Sequence, residues 1–278
     1  MSSGYDLNPD TPAARALQAT YKRQSDSAAR LPGAQLDLAY GPHPRQKLDV
    51  FSAGSNAPVI LFFHGGYWTA GSKDARRFPS PTWIEHGVSW VAINYRLTPE
   101  NALKVCVADA RAATNWIAGN AATLGLNRNA LHVAGNSAGG HLAAMVSAEN
   151  WHGRPTIRSL TAISGLFDLS PLIRTVAQDW LRLTSQSATA LSPIVQLPPP
   201  GLPVLIGWGG LETQVFADQS NLYAKLCRKA GIPTQVFTSS GVDHFKIIGE
   251  FGEPGTQLFD MLLQQVLAVE NLRKPQKI

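Results

Sequence analysis

Ser137 is the residue of this sequence best placed to act as a nucleophile. It lies in the pattern Gly-Asn-Ser-Ala-Gly at residues 135–139, directly after the largely apolar run 131–134. A Gly-x-Ser-x-Gly pattern after a strand is typical of a sharp strand-to-helix turn that exposes the serine hydroxyl, with glycines where side chains would not fit. The pattern also occurs in ordinary small-residue turns. Its interpretation therefore depends on the rest of the chain.

A second glycine pattern, His-Gly-Gly-Tyr-Trp at residues 64–68, follows the apolar run 58–63. Glycines at a strand end expose backbone N–H groups, which can stabilise negative charge on a carbonyl oxygen under attack. A Gly-Gly pair by itself also fits an ordinary turn. Together with Ser137 it indicates acyl-transfer chemistry, with the N–H of Ala138 as a further donor. We expect the ring of His64 to brace this loop by hydrogen bonding.

A serine nucleophile needs a base that takes its proton and an acid that orients the base. His244 is the candidate base because it follows the last predicted strand and is the only histidine beyond Glu212. Glu212 follows the apolar run 203–208 and is the candidate acid. It also fits a solvated loop carboxylate or a charge in the first turn of the next helix. Asp168 and Asp243 are the alternative acids.

The elements that would position these residues alternate along the chain. Strands are predicted at 35–40, 46–51, 58–63, 88–94, 130–135, 159–164, 203–208 and 234–239. Helices are predicted at 10–30, 101–123, 138–149, 214–230 and 255–270. This alternation predicts an α/β fold with a mostly parallel eight-stranded sheet and helices on both faces.

Two segments depart from the alternation. Residues 165–202 are long for a connection, and we predict that they form a short lid or cap insertion that ends in a stiff proline run at 198–200. Residues 1–33 are predicted to form an N-terminal helical arm, which either lies over the site or packs at the edge of the domain. We expect one domain over residues 1–278.

The composition fits an enzyme-sized globular domain, with 44% hydrophobic and 15% charged residues in a chain of 278. The net charge is +5, but basic residues occur at most in pairs, so nucleic-acid binding is not expected. The sequence lacks a membrane-length apolar run and a signal-peptide pattern, which predicts a cytoplasmic protein without a membrane partner.

The two cysteines, Cys106 and Cys227, lie in separate predicted helices, and we expect buried free thiols. No metal ion or organic cofactor is expected. The sequence indicates no oligomeric state.

Five motifs together resemble the hormone-sensitive-lipase-like branch of the α/β hydrolases. They are His-Gly-Gly-Tyr-Trp at 64–68, Tyr-Arg-Leu-Thr-Pro-Glu at 95–100, Gly-Asn-Ser-Ala-Gly-Gly at 135–140, Gly-Gly-Leu-Glu-Thr at 209–213 and Asp-His-Phe at 243–245. The first motif is most similar to that of the kynurenine formamidase (arylformamidase) group. The resemblance covers about residues 35–270 and implies the α/β-hydrolase fold.

The resemblance also implies roles for individual residues. It makes Ser137 the nucleophile, Glu212 the acid and His244 the base. The oxyanion donors that it implies are the backbone N–H groups of Gly66, Tyr67 and Ala138.

This sequence departs from the family pattern at three positions. Tyr67 stands where related esterases usually carry a third glycine, and Glu212 stands where aspartate is more common. Asn136 stands where relatives often have aspartate or histidine.

These residues predict a serine hydrolase that cleaves small carboxylic esters or aryl-formamides through an acyl-enzyme. An aromatic substrate is expected because aromatic residues adjoin the candidate catalytic positions. The candidate pocket residues are Gly65, Trp68, Asn136 and Trp208, although both tryptophans also fit the core. The alternatives are a catalytically silent binding protein on the same scaffold, and an acyltransferase or peptidase with the same triad.

Overall fold

The computed structural model describes residues 4–151 and 157–271, and these contain one eight-stranded sheet. The strands are β1 (Gln35–Ala39), β2 (Lys47–Phe51), β3 (Val59–Phe63), β4 (Ser89–Ile93), β5 (Leu131–Asn136), β6 (Ile157–Ile163), β7 (Val204–Gly209) and β8 (Thr234–Ser239). Their order is β1-β2-β4-β3-β5-β6-β7-β8. Strand β2 is antiparallel to β1 and β4, and the other neighbours are parallel. The predicted mostly parallel sheet is confirmed.

Helices connect the strands and cover both faces of the sheet. They are α1 (Pro12–Ala28), α2 (Ser80–Glu85), α3 (Leu103–Leu124), α4 (Ala138–Ser147), α5 (Gln178–Leu181), α6 (Ser185–Ala190), α7 (Gln214–Lys229) and α8 (Gln257–Asn271). The five helices expected from the sequence are present, with ends within about two residues of the predicted ones. The short helices α2, α5 and α6 were not predicted, because four to six residues carry too little periodicity to reveal a helix.

The central strands are buried along their whole length, as expected for parallel strands covered on both faces. Alternate residues of β3 enter two different apolar clusters. Val59, Leu61 and Phe63 join a cluster with α3, α4 and α7, while Ile60 and Phe62 join a second cluster with α2 and α8. The parallel strands therefore sit rigidly between two packed layers, and the loops at their carboxyl ends share one edge of the sheet.

The N-terminal helix α1 packs beside the chain that follows the glycine loop of residues 65–71. Thr11 begins the helix by accepting a hydrogen bond from the backbone N–H of Ala14. On its inner face, Tyr21 stacks on Phe78 with ring centroids 4.8 Å apart, and Ser25 Oγ accepts a hydrogen bond from Phe78 N. The predicted arm thus contacts the segment that leads away from the glycine loop.

Residues 165–202 contain α5, α6 and two 3₁₀ turns, Ser170–Arg174 and Pro193–Val195. This segment also contacts the glycine loop, because Trp180 Nε1 donates a hydrogen bond to the carbonyl of Tyr67.

Both cysteines are free and buried, as predicted, with Cys106 in α3 and Cys227 in α7. Over residues 4–151 and 157–271, we find no helix that combines the length and the hydrophobicity required to cross a bilayer.

Candidate active site

Ser137 occupies the turn between β5 and α4 with an unusual backbone conformation, φ +54° and ψ −123°. This conformation is strained for a residue with a side chain, at a cost of about 1–3 kcal/mol. A Cβ at Gly139 would lie 1.9 Å from the carbonyl oxygen of Phe63, and one at Gly135 would lie 2.3 Å from that of Gly139. Both flanking positions therefore require glycine, because α4 starts in direct contact with the end of β3 and with β5.

The glycine loop lies against this turn. A Cβ at Gly65 would lie 3.2 Å from the Cβ of Ser137. The next three residues, Gly66, Tyr67 and Trp68, have φ values of +115°, +50° and +57°. Within the part of the chain that the structure describes, the backbone N–H groups of Gly66, Tyr67 and Ala138 have no hydrogen-bond acceptor. Free N–H groups of this kind can bind an oxyanion.

Glu212 and His244 form a hydrogen-bonded pair. His244 Nδ1 lies 2.7 Å from Glu212 Oε2, and the Glu212 side chain is fully buried. Because an ionised carboxylate only accepts hydrogen bonds, Nδ1 must carry the proton. The other ring nitrogen of neutral His244 then has a free lone pair. This arrangement can accept a proton from a nearby hydroxyl group.

Two further donors hold the other carboxylate oxygen of Glu212. Ser164 Oγ lies 2.5 Å and Gly209 N lies 2.6 Å from Oε1. Ser164 follows β6 with φ +50°, and its own N–H bonds to the carbonyl of Gly207 on the neighbouring strand. Glu212 is thus fixed by three hydrogen bonds, two of them from groups at the ends of β6 and β7.

The alternative acids accept hydrogen bonds only from nearby backbone groups among the contacts of the described residues. Asp168 Oδ1 accepts from Ser170 N, and Asp243 Oδ1 accepts from Phe245 N and Lys246 N. Both carboxylates therefore shape turns, and the structure joins Glu212 to the histidine.

A cavity of about 320 Å³ opens at this edge of the sheet and brings the candidate residues together. Ser137, His244 and Asn136 lie on its wall, as do Gly65, Gly66 and Tyr67 of the glycine loop. The segment 165–202 contributes Trp180, and the N-terminal segment contributes Leu7, Pro9, Gln18 and Tyr21. Both segments that interrupt the strand–helix alternation are therefore parts of the cavity wall.

Comparison with known proteins agrees with this fold. The family described as BD-FAE matches residues 48–163. Kynurenine formamidase from Danio rerio is 27% identical over 91% of this chain and 88% of its own length. Esterase LipI from Mycobacterium tuberculosis is 36% identical over a shorter stretch, 38% of this chain and 34% of its own. The structure of esterase B from Lactobacillus rhamnosis superposes with a TM-score of 0.73 at 18% identity, covering 94% of this chain and 95% of that one.

The chain has the α/β-hydrolase fold. A metagenomic thermostable carboxylesterase has the same fold, with a TM-score of 0.72 at 20% identity, over 97% of this chain and 99% of that one. The resemblance to the hormone-sensitive-lipase-like branch and to kynurenine formamidases is confirmed.

Two of the predicted pocket residues, Trp68 and Trp208, lie away from the cavity wall. Trp68 is fully buried, and its ring meets that of His141 edge-on at 4.9 Å between centroids. The positive φ of Trp68 turns its side chain into the core. Trp208 alternates with Val204 and Ile206 on β7, so it lies on the sheet face that α7 covers. The prediction that Trp68 and Trp208 line the pocket is therefore wrong, because neither residue belongs to the cavity wall.

The histidine of the glycine loop, His64, has the bracing contacts that the sequence predicted. His64 is fully buried, its Nδ1 lies 2.8 Å from the carbonyl oxygen of Gly65, and its ring stacks on Tyr95 at 4.3 Å. Burial lowers the pKa of His64 to about 3. The ring is therefore neutral at physiological pH and fixes the loop without adding charge.

Sequence reasoning missed three residues of the site: Ser164, Tyr21 and Arg76. Ser164 follows the end of β6 and precedes Gly165. A serine at this position indicates a partner for Glu212 only once β6 and β7 are known to be neighbours in the sheet. Tyr21 Oη lies 3.2 Å from the carbonyl oxygens of both Phe245 and Lys246, and so ties α1 to the loop that carries His244. No local pattern indicates this contact, because it joins residues more than 220 positions apart.

Proposed function

We propose that this protein is a serine hydrolase that cleaves small carboxylic esters or aryl-formamides with Ser137, His244 and Glu212 as its catalytic triad. The observation that carries the proposal is that His244, which is hydrogen-bonded to the buried Glu212, lines the same cavity as Ser137. Ser137 itself is held in a strained turn. The names of its relatives, esterases and kynurenine formamidases, support the class of reaction.

In the proposed mechanism, His244 takes the proton from Ser137 Oγ as the oxygen attacks the carbonyl carbon of the substrate. The free N–H groups of Gly66, Tyr67 and Ala138 stabilise the negative charge on the carbonyl oxygen. The intermediate then collapses, and His244 gives its proton to the leaving alcohol or amine. Glu212 stabilises the imidazolium during both steps, and water releases the acyl group by the same route.

The cavity supports a small substrate with an aromatic or apolar part. Its volume of about 320 Å³ is at the lower end of the range for small-molecule sites. Tyr67, Trp180 and Phe245 bring aromatic rings to the wall, and the first two meet edge-on at 5.9 Å between centroids. A small acyl group with an aryl leaving group fits this lining.

The test is hydrolysis of p-nitrophenyl acetate and N-formylkynurenine by the wild type and by Ser137→Ala, with fluorophosphonate labelling in parallel. We expect the wild type to cleave at least one substrate and to be labelled, and Ser137→Ala to show neither property. Activity that persists in the folded Ser137→Ala variant would contradict the proposal. A wild type that is neither active nor labelled would support a silent binding protein instead.

A further inference from the structure

Arg76 lies on the wall of the cavity that holds Ser137 and His244. Its Nε is buried and has no hydrogen-bond partner among the described residues. In residues 4–151 and 157–271, no carboxylate lies within 4 Å of its guanidinium nitrogens. A partly buried guanidinium without an acidic partner is costly unless something else pairs with it.

Two neighbouring cations, Lys73 and Arg77, have the carboxylate partners that Arg76 lacks. Lys73 Nζ lies within 3.1 Å of carboxylate oxygens on Asp37, Asp49 and Asp74. Arg77 bonds to Asp49 and Asp74. Asp37, Asp49 and Asp74 are thus directed to Lys73 and Arg77, whereas Arg76 lies on the cavity wall.

The backbone at Arg76 is held firmly. Trp90 Nε1 donates a hydrogen bond of 2.9 Å to its carbonyl oxygen, and its own N–H donates to the carbonyl of Lys73. One terminal nitrogen, Nη1, donates to the carbonyl of Ala75. Nη2 and the second N–H of Nη1 make no hydrogen bond in the described contacts, and this pair of terminal donors matches the two oxygens of a carboxylate.

The cavity has no other permanent charge on the wall that the structure describes. Its lining contains no Asp, Glu or Lys, and most of its surface is apolar. Burial lowers the pKa of Arg76 to about 10, so the side chain is still positively charged at neutral pH. A single cation in an apolar, partly enclosed space attracts an anionic group strongly, because little water screens it.

We propose that the substrate of this hydrolase carries a carboxylate that pairs with Arg76 while Ser137 attacks its ester or formamide bond. The inference rests on the triad proposed above and narrows its substrate class. One negative charge balances one guanidinium, whereas a dianionic phosphate would leave a net charge in apolar surroundings. Arg76 acts here as a specificity residue that binds and orients the substrate.

The first test compares matched substrates that differ only in charge. One pair places the difference on the leaving group, with the acetate esters of 3-hydroxyphenylacetate and 3-hydroxyphenylacetamide. The second pair places the charge difference on the acyl group and consists of the 4-nitrophenyl monoester of glutaric acid and the 4-nitrophenyl ester of glutaramic acid. Spontaneous hydrolysis is subtracted, and kcat/KM is measured for the wild type, Arg76→Gln, Arg76→Lys and Arg128→Gln. Arg128 is an exposed arginine before β5, at the opposite edge of the sheet, and is the control.

We expect the wild type to prefer the anionic member of at least one pair. Loss of a hydrogen-bonded charge pair predicts that Arg76→Gln lowers kcat/KM for that member by about 10- to 100-fold, with less than about 3-fold change for the neutral member. Arg76→Lys should retain part of the preference, and Arg128→Gln should retain all of it. Equal loss on both members of each pair would overturn the proposal while leaving the triad intact.

A binding measurement keeps the inference testable if none of these esters is cleaved. Calorimetric titration compares 4-phenylbutyrate with 4-phenylbutyramide on the wild type and on Arg76→Gln, after circular dichroism has shown that the variant is folded. We expect tighter binding of the carboxylate to the wild type by about 10-fold or more, and no such difference in the variant. Equal affinity for the two ligands in the wild type would overturn the carboxylate proposal, whatever the outcome for hydrolysis.

Discussion

Two buried carboxylates in this molecule, Glu212 and Asp49, are equally hidden from solvent but have different partners. The side chains of both are fully buried. Asp49 pairs with the permanent cations Lys73 and Arg77 and accepts a hydrogen bond from the N–H of Asp37. Glu212 accepts hydrogen bonds from a serine, a backbone N–H and a histidine that is charged only when protonated.

The difference explains what each carboxylate can do. The charge of Asp49 is neutralised permanently, so its cluster holds the chain that follows the glycine loop in place. Hydrogen bonding to Asp37 and Asp49 raises the pKa of Lys73 although burial alone would lower it, and the cluster therefore stays charged. Glu212 keeps a negative charge that no permanent cation cancels, and this charge is available to stabilise an imidazolium on His244. The first carboxylate serves the fold, and we infer that the second serves the reaction.

The largest effect is expected from Glu212→Gln. The amide has almost the same shape but removes the negative charge and the fixed tautomer of His244, so kcat should fall on the order of 10³- to 10⁴-fold. The free energy of unfolding should change far less than kcat. Ester hydrolysis under saturating substrate, together with urea unfolding, measures both quantities.

Asp243→Asn is the matched control for Glu212→Gln, because Asp243 adjoins His244 in sequence but bonds only to the backbone N–H groups of Phe245 and Lys246 in the described contacts. We expect kcat to fall less than about 10-fold in this variant. If Asp243→Asn abolished activity and Glu212→Gln did not, the assignment of the acid would be wrong.

Asp49→Asn should have the opposite profile. Removing one member of a buried ion cluster leaves Lys73 and Arg77 poorly compensated, which should lower the free energy of unfolding by about 3–5 kcal/mol. The activity of the protein that remains folded should fall less than about 10-fold. Urea unfolding and active-site titration with a fluorophosphonate measure stability and the folded fraction separately.

Asp26→Asn provides the surface counterpart for that experiment. Asp26 pairs with Lys22 on an exposed face of α1. Exposed pairs of this type contribute about 0.3–0.5 kcal/mol, so the variant should be nearly as stable as the wild type. A loss of stability in Asp26→Asn as large as that in Asp49→Asn would remove the distinction between the buried and the surface pair.

The parts of this site that sequence could predict are those that depend on local chemistry. Ser137 sits between glycines that its turn requires, Glu212 follows an apolar strand, and His244 follows the last strand of the sheet. Residue type and position after a strand were therefore enough to name them as candidates. The strand pattern predicted the sheet for the same reason, since burial on both faces leaves an uninterrupted apolar run.

The parts that sequence could not predict depend on contacts between distant segments. Arg76 lies beside two other basic residues of its segment, and only the packed structure shows that the acidic groups are directed to Lys73 and Arg77. Trp68 and Trp208 adjoin the site in sequence, but a positive φ and the alternation of β7 direct them away from the cavity. Side-chain direction at a strand end is set by the turn, which apolar periodicity does not describe.

Ser164→Ala tests how much the hydrogen bonding of Glu212 contributes to kcat when the charge of Glu212 is kept. Ser164 differs from Lys73 and Arg77 of the Asp49 cluster because it is a neutral donor, which orients a carboxylate without cancelling its charge. Removing its hydroxyl leaves Glu212 Oε1 bonded to Gly209 N alone among the described contacts. Loss of a hydrogen bond to a charged group costs about 1.5–3 kcal/mol, so we expect kcat to fall about 10-fold and the protein to lose stability as well.

Ser239→Ala separates these two effects, because Ser239 Oγ makes an equally short hydrogen bond of 2.5 Å to another buried glutamate, Glu250. Neither Ser239 nor Glu250 lines the cavity in the described structure. Both variants should lose similar free energy of unfolding, but only Ser164→Ala should lose kcat, with KM nearly unchanged. Equal kcat values for the two variants would mean that Ser164 stabilises the fold alone, and that His244 and Gly209 suffice to orient the acid. A selective loss would show that a neutral hydrogen bond positions the acid, which is what distinguishes Glu212 from a carboxylate held by cations.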